Sequence, residues 1–257
     1  MSFRHPWINV QNYCRRNIAR VLFRRPVRIH TQLPLISFTF DDFPRSAFLA
    51  GGAILSGHGL AGTYYTSLGL LGKEGPSGPL FILDDLRALL DRGHELGCHT
   101  FSHCHSWDTK GDSFESSVLQ NRAALRELAL GTEFRSFSYP IAEPRPSTKR
   151  KVSRHFLCCR GGGQVANSGT ADLNQLSAYF LEKSRDRIQA VKDLIDLNRE
   201  ARGWIIFATH DVSSDPSPYG CRPEFFDSVV QYALSSGARI LPVVRALEVI
   251  RGSPSAA

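Results

Sequence analysis

Short apolar runs alternate with stretches of helical periodicity along most of this 257-residue chain. Runs at 35–40, 63–66, 95–98, 137–139, 156–159, 179–181, 204–209 and 239–242 read as strands. Between them, 47–56, 83–92, 114–130, 149–154, 185–202, 224–235 and a last stretch reaching Ile250 place apolar residues at helical spacing. Strand and helix in strict succession, about eight times over, predict an α/β fold: a distorted (β/α) barrel of TIM type with about 7–8 parallel strands. Gly and Pro clusters at 72–79, 143–146, 161–163 and 213–223 read as loops, not as linkers. The expected organisation is a catalytic barrel over 31–251, preceded by a basic helical segment over 1–30 and followed by a flexible tail over 252–257.

The N-terminal segment has a different pattern. Val10, Cys14, Ile18, Val21 and Leu22 share one side of a predicted helix, and Arg16, Arg20 and Arg24 recur on the opposite side. This basic amphipathic helix has two readings. Its apolar stripe packs on the domain with solvated arginines, the favoured one, or it makes peripheral contact with an anionic membrane or a lipid-linked substrate through residues 10–25.

Charge follows the same division. The net charge is +7, yet residues 1–40 hold seven Arg and no acid, and the basic residues beyond them equal the 24 acidic ones. The predicted barrel is formally neutral, which argues against nucleic acid as a partner. With 42% hydrophobic and 21% charged residues, the composition excludes disordered, collagen-like and multispanning classes. No apolar run reaches membrane-spanning length, and none follows the basic N-terminus as in an export signal. The expected location is cytoplasmic, at most peripheral to the inner face of the membrane, with the six Cys as reduced thiols.

Reacting groups of a βα barrel lie at the C-terminal ends of its strands. Four such ends carry candidates: Thr39-Phe40-Asp41-Asp42, His99-Thr100-Phe101-Ser102-His103, Tyr139-Pro140 and His210-Asp211. Adjacent carboxylates that point different ways suit one group holding a cation while the other moves a proton, although an Asp pair alone more often marks a turn and helix cap. Two histidines four apart share a face if the chain turns helical after His99. One oxygen and two imidazoles leave room for water and substrate, as a catalytic metal requires. A competing structural zinc site would draw on Cys98 and Cys104 beside these histidines, but Cys98 and His99 point to opposite faces of a strand. His58, His94 and His155 read as structural, and Gly161-Gly162-Gly163 lacks the Lys-Ser/Thr of a phosphate loop.

Together, TFDD at 39–42, GHELGCHTFSH at 93–103, FSYP at 137–140 and THDV at 209–212 resemble the polysaccharide deacetylase family of carbohydrate esterases, in order and spacing from about Pro34 to Ile250. The resemblance implies a distorted βα barrel that removes acetyl groups from sugars with a divalent metal, most simply Zn, with Co, Ni or Mn as alternatives. By motif, Asp42, His99 and His103 would bind the metal, Asp41 would be the general base and His210 the general acid. Tyr139, Pro140 and the backbone N–H of Ile141 would form the substrate and oxyanion side. Two positions depart from the family pattern. Ser138 stands where the family has an Arg that orients the base, and Arg160, ending the next predicted strand, is the candidate replacement. Ala208 stands where an aliphatic residue lines the acetyl pocket. The implied function is a metal-dependent hydrolase that deacetylates an N-acetylated amino sugar or glycan. The rivals are a same-fold amidohydrolase on a non-sugar C–N bond and a non-catalytic glycan- or membrane-binding barrel.

Overall fold

The computed structural model describes residues 18–185 and 187–252. Its strands are β1 (Pro26–Ile29), β2 (Leu35–Phe40), β3 (Thr63–Thr66), β4 (Glu74–Gly75), β5 (Gly78–Pro79), β6 (Glu95–Cys98), β7 (Ser136–Ser138), β8 (Cys158–Arg160), β9 (Gly169–Asp172), β10 (Tyr179–Phe180), β11 (Trp204–Thr209) and β12 (Arg239–Ile240). The main sheet runs β10-β11-β2-β3-β6-β7-β8, parallel throughout, and β12 pairs with the start of β2. This is the curled, mostly parallel sheet of a distorted barrel. No ladder joins its two ends. Instead, the backbone before β10 crosses the gap: Leu176 N–H donates to Cys159 O at 2.9 Å and Leu176 O accepts from Gly161 N–H at 2.8 Å.

β2 and β11 are buried at every position, which is why their sequences are continuously apolar. Alternation divides their side chains between two cores. Ile36, Phe38, Phe40 and Phe207 face the surrounding helices, where Phe226 packs on both Phe38 and Phe40. Leu35, Trp204, Ile206 and Ala208 face the barrel interior with Val243, Ala246, Leu247 and Ile250 of the final helix, Val243–Gly252. That helix closes the N-terminal end of the barrel. Its first turn is held by Glu95, which accepts from Val244 N–H at 2.8 Å and Ser136 Oγ at 2.5 Å, and by Thr63 Oγ1, which accepts from Val243 N–H at 2.9 Å. A carboxylate there also suits the positive end of the helix dipole.

The structure alters several expectations outside the site. Residues 26–29 do not continue a helical segment. Pro26 donates no N–H, Val27 and Ile29 favour extended backbone, and this strand pairs antiparallel with β9. The 72–79 loop contains the small hairpin β4–β5. In the one helical turn at 18–21, Ala19 is buried while Ile18, Val21 and Leu22 are exposed, Val21 by 67%, so the apolar stripe does not pack inward here. The expectations for residues 1–17 and for 253–257 lie outside the described residues. Among the described residues, no helix is long and apolar enough to cross a membrane.

Residues 18–25 are anchored through polar atoms instead. Fully buried Lys149 donates to Ala19 O at 2.7 Å and to Asp172 Oδ2 at 2.6 Å. Asp172 Oδ1 accepts from the N–H of Arg25 and of Asn174, each at 2.9 Å, and Asn174 Nδ2 reaches Phe23 O at 2.7 Å.

His94 supports the interior as a neutral ring, its Nδ1 accepting from Gly62 N–H at 2.9 Å between Phe48 and Tyr64. Burial, helped by Arg92, lowers its pKa to about 4. Unfolded, the same ring takes a proton near its ordinary pKa of 6.5, so its contribution is complete above that pH and is lost as pH falls towards 4. His94→Asn, which keeps an acceptor but cannot titrate, is expected to show a smaller drop in thermal midpoint than wild type between pH 7 and pH 4.5; equal slopes would refute this role.

Candidate functional site

Four strand ends converge at the C-terminal mouth. Asp41 continues the ladder, its N–H donating to Thr209 O at 2.9 Å, and its inward carboxyl is 4% exposed as a residue. Asp42 then turns with φ +60, which aims its carboxylate away from Asp41 towards the histidines. His99 Nε2 lies 3.5 Å and His103 Nε2 3.1 Å from Asp42 Oδ1, and His210 Nε2 lies 4.0 Å from Asp42 Oδ2. No helical turn brings His103 back to His99. Thr100 (φ +62) and His103 (φ +52) are left-handed, and Thr100 Oγ1 accepts from Cys104 N–H at 3.1 Å to close the bend. Of ten described non-glycine residues with positive φ, six lie in the loops of this mouth: Asp42, Phe43, Thr100, His103, Ile141 and Ala142. Backbone of this kind costs of order 1–3 kcal/mol per residue and concentrates where function over-determines geometry.

The Asp42, His99 and His103 donors fit a cation. Ser138 O can only accept, so His99 Nδ1 donates to it at 2.8 Å and the Nε2 lone pair must point at Asp42. Burial lowers the His99 pKa to about 4 against the opposing pull of the Asp41 and Asp42 carboxylates, which keeps the ring an acceptor. Asp42 Oδ1 is itself buried with no hydrogen-bond donor. An imidazole lone pair facing a carboxylate oxygen is repulsive unless positive charge lies between them. The three ligand atoms lie within 4.8 Å of one another, comparable with the ~4.2 Å upper spacing of donors bound about 2.1 Å from one zinc ion.

Beside this cluster, Arg160 Nη2 donates to Asp41 Oδ1 in a short, buried ion pair. Burial alone would raise the Asp41 carboxyl, but Arg160, with His99 and His210, outweighs it and holds the pKa below the ordinary carboxylate value. Arg160 is stacked on Tyr65, its guanidinium 4.8 Å from the ring centre, with Phe180 at 5.8 Å. Tyr65 needs the glycine beside it, because a Cβ on Gly97 would lie 2.4 Å from its ring. Arg160 thus reaches Asp41 from β8, the strand paired with the one that carries Ser138.

Not every expected residue faces the site. The Tyr139 ring points into the outer core, 1% exposed, packs edge-on against Phe137 and donates to Asn174 O at 3.2 Å. Alternation puts Tyr139 on the same outward face as Phe137 and leaves the inward position to Ser138. Pro140 is buried, and left-handed Ile141 (φ +61) is 59% exposed at the mouth. Cys98 faces away from His99: its Sγ accepts from Asn121 Nδ2 at 3.3 Å, and burial pushes the thiol up to about 12. The site also includes side chains with no sequence signal. One is Tyr219, whose ring lies 5.4 Å from that of His210.

The family model for polysaccharide deacetylases matches residues 29–156, which contain the TFDD and His-x-x-x-His loops. The chain belongs to the polysaccharide deacetylase family. Solved structures agree on the fold of this deacetylase-family barrel. A family 4 acetyl xylan esterase from Clostridium thermocellum in complex with a cobalt ion is 23% identical with a TM-score of 0.60, covering 86% of this chain and 93% of that one. A family 4 carbohydrate esterase from Streptomyces lividans in complex with acetate is 16% identical with a TM-score of 0.56, covering 81% and 91%. A family 4 pseudoenzyme from Bacillus anthracis is 13% identical with a TM-score of 0.60, covering 86% and 68%. No curated protein matches the sequence significantly.

Elemental analysis of protein purified without chelator is expected to find about one divalent ion per chain, and none with Asp42→Ala, if the three donors hold one tetrahedral-type site. Equal metal content in both proteins would place the ion elsewhere.

Proposed function

We propose that the chain is a metal-dependent hydrolase that removes the acetyl group from an N-acetylated amino sugar or glycan. The observation that carries this reading is the division of labour between adjacent carboxylates: Asp42 faces two imidazoles, while Asp41, ionised by Arg160, is turned to the same space. A pure binding module has no use for a buried, ionised base beside a cation site and a histidine opposite it.

A divalent ion held by Asp42, His99 and His103 would polarise the acetyl carbonyl and acidify an attacking water; Zn is the first choice, with Co, Ni and Mn as alternatives. Asp41 takes the proton from that water as its oxygen bonds the acetyl carbon. Ile141, at the turn after Pro140, offers its backbone N–H to the oxygen that gains charge. His210 gives a proton to the sugar nitrogen as the C–N bond breaks, and acetate and a free amine result. Arg160 touches none of the reacting atoms. It keeps Asp41 ionised and fixes its direction, a positioning role. Inward-facing Ala208, one turn of alternation below His210, leaves more room for the acyl group than a larger aliphatic residue would.

Acetate release from chitooligosaccharide, peptidoglycan fragments and lipid-linked sugars tests the reading, and release from none, with hydrolysis of a non-sugar amide, would favour the amidohydrolase rival. Asp41→Asn is expected to keep its metal and lose about 10²–10⁴-fold in kcat, the usual contribution of a positioned base. Arg160→Met is expected to lose roughly 10–100-fold, as for other groups that orient a reacting side chain. Without the guanidinium the Asp41 carboxyl rises, so the acid limb of the kcat/KM profile should move to higher pH. An unmoved limb would leave Arg160 with a structural role only.

A further inference from the structure

Two features remain unused by this chemistry: the exposed arginines of the N-terminal segment and the glycine run at 161–163. The structure brings them together. A groove of about 120 Å³ is lined by Arg20, Ile141, Glu143, Gly162 and Gln175, and it adjoins a second of about 300 Å³ lined by Arg20, Arg24, Gly163 and Ser177. We propose that this groove is a subsite for an oxyanion, a phosphate or a carboxylate, borne by the substrate sugar itself. The inference rests on the deacetylase reading above and names the class of sugar.

The charge balance favours an anion. Among the described residues, neither Arg20 nor Arg24 has a carboxylate within ion-pair distance. Of the acids nearby, Asp172 is engaged, bonded by Lys149 and by the N–H groups of Arg25 and Asn174. The arginines are also carried on a held backbone. Ala19 O and Phe23 O, on either side of Arg20, are bound by Lys149 and Asn174, and Arg25 Nη2 donates to Phe156 O at 3.1 Å and Leu157 O at 2.7 Å. A guanidinium pair on a fixed strap loses less freedom on closing around an oxyanion than one on a free tail.

The floor suits a sugar. The glycine run brings bare backbone against the oxyanion loop: Gly162 N–H donates to Ala142 O at 2.8 Å, and a Cβ on Gly161 would lie 2.7 Å from that same oxygen. Gln175 Oε1 is buried without a donor and offers an acceptor to a hydroxyl or amide N–H. Ile141 lines one end, so the groove reaches the loop that carries the oxyanion N–H. The neutral remainder of the chain and the small size of the groove do not suit a nucleic acid.

Titration calorimetry on the full chain at low salt tests this with N-acetylglucosamine 1-phosphate, N-acetylmuramic acid and neutral N-acetylglucosamine, each against wild type and R20Q/R24Q. At least one anionic sugar is expected to bind wild type about tenfold more tightly than the neutral sugar, as charge-assisted bonds allow. That advantage should shrink with added salt and collapse to about one in R20Q/R24Q, whose exposed positions leave the thermal midpoint unchanged. The sugar preferred identifies phosphate or carboxylate. Equal binding of all three sugars by wild type, or a preference that survives in R20Q/R24Q, overturns the proposal. Binding needs no turnover, so absence of acetate release would count against the deacetylase reading without deciding this one.

Discussion

A charge buried at the centre of a barrel must be paired, and here that pairing crosses the mouth. Asp41 ends β2 and Arg160 ends β8, four strands away along the sheet, with Tyr65 of β3 and Phe180 of β10 against the guanidinium. Removing two ions from water costs several kcal/mol each, and only good geometry with both partners present recovers it. The sheet therefore cannot open or slip at this level without stranding a charge. The same contact that ties the end of β2 to the end of β8 sets the direction and ionisation of the Asp41 carboxylate, so architecture and local electrostatics share one constraint.

Around that axis the backbone is bent to bring donors together. His99 is aimed by the Ser138 carbonyl, and Asp42, Thr100 and His103 adopt left-handed conformations that their side chains do not favour. The strain is local, while the support lies in the continuous ladder of β11, β2, β3 and β6 beneath it. Helix and strand supply rigidity; the turns immediately above them supply aim.

Much of this is legible in the amino-acid sequence, for physical reasons. β2 and β11 are buried at every position, so their apolar runs end where the strands end. β1 and β9 are not readable in the same way: PVRI sits within an arginine-rich stretch, GTAD has no pattern, and each becomes a strand only by pairing with the other. In the site, Asp41, Asp42, His99, His103 and His210 stand out because titratable groups at strand ends are chemically conspicuous. Tyr139 is misplaced because it shares the outward face of Phe137, so proximity to the strand end does not bring its ring to the mouth. The Ser138 carbonyl and the Tyr65 ring carry no sequence signal, since one is backbone and the other an ordinary core aromatic until Arg160 lies over it.

The final helix packed under β2 and β11 has a consequence for traffic. Among the described residues the helix covers that end, and the way in to Asp41 is the mouth above the strands. Anything that reaches Asp41 arrives and departs through the same opening, so a long chain cannot thread through and must lie across the rim while one small group dips inward.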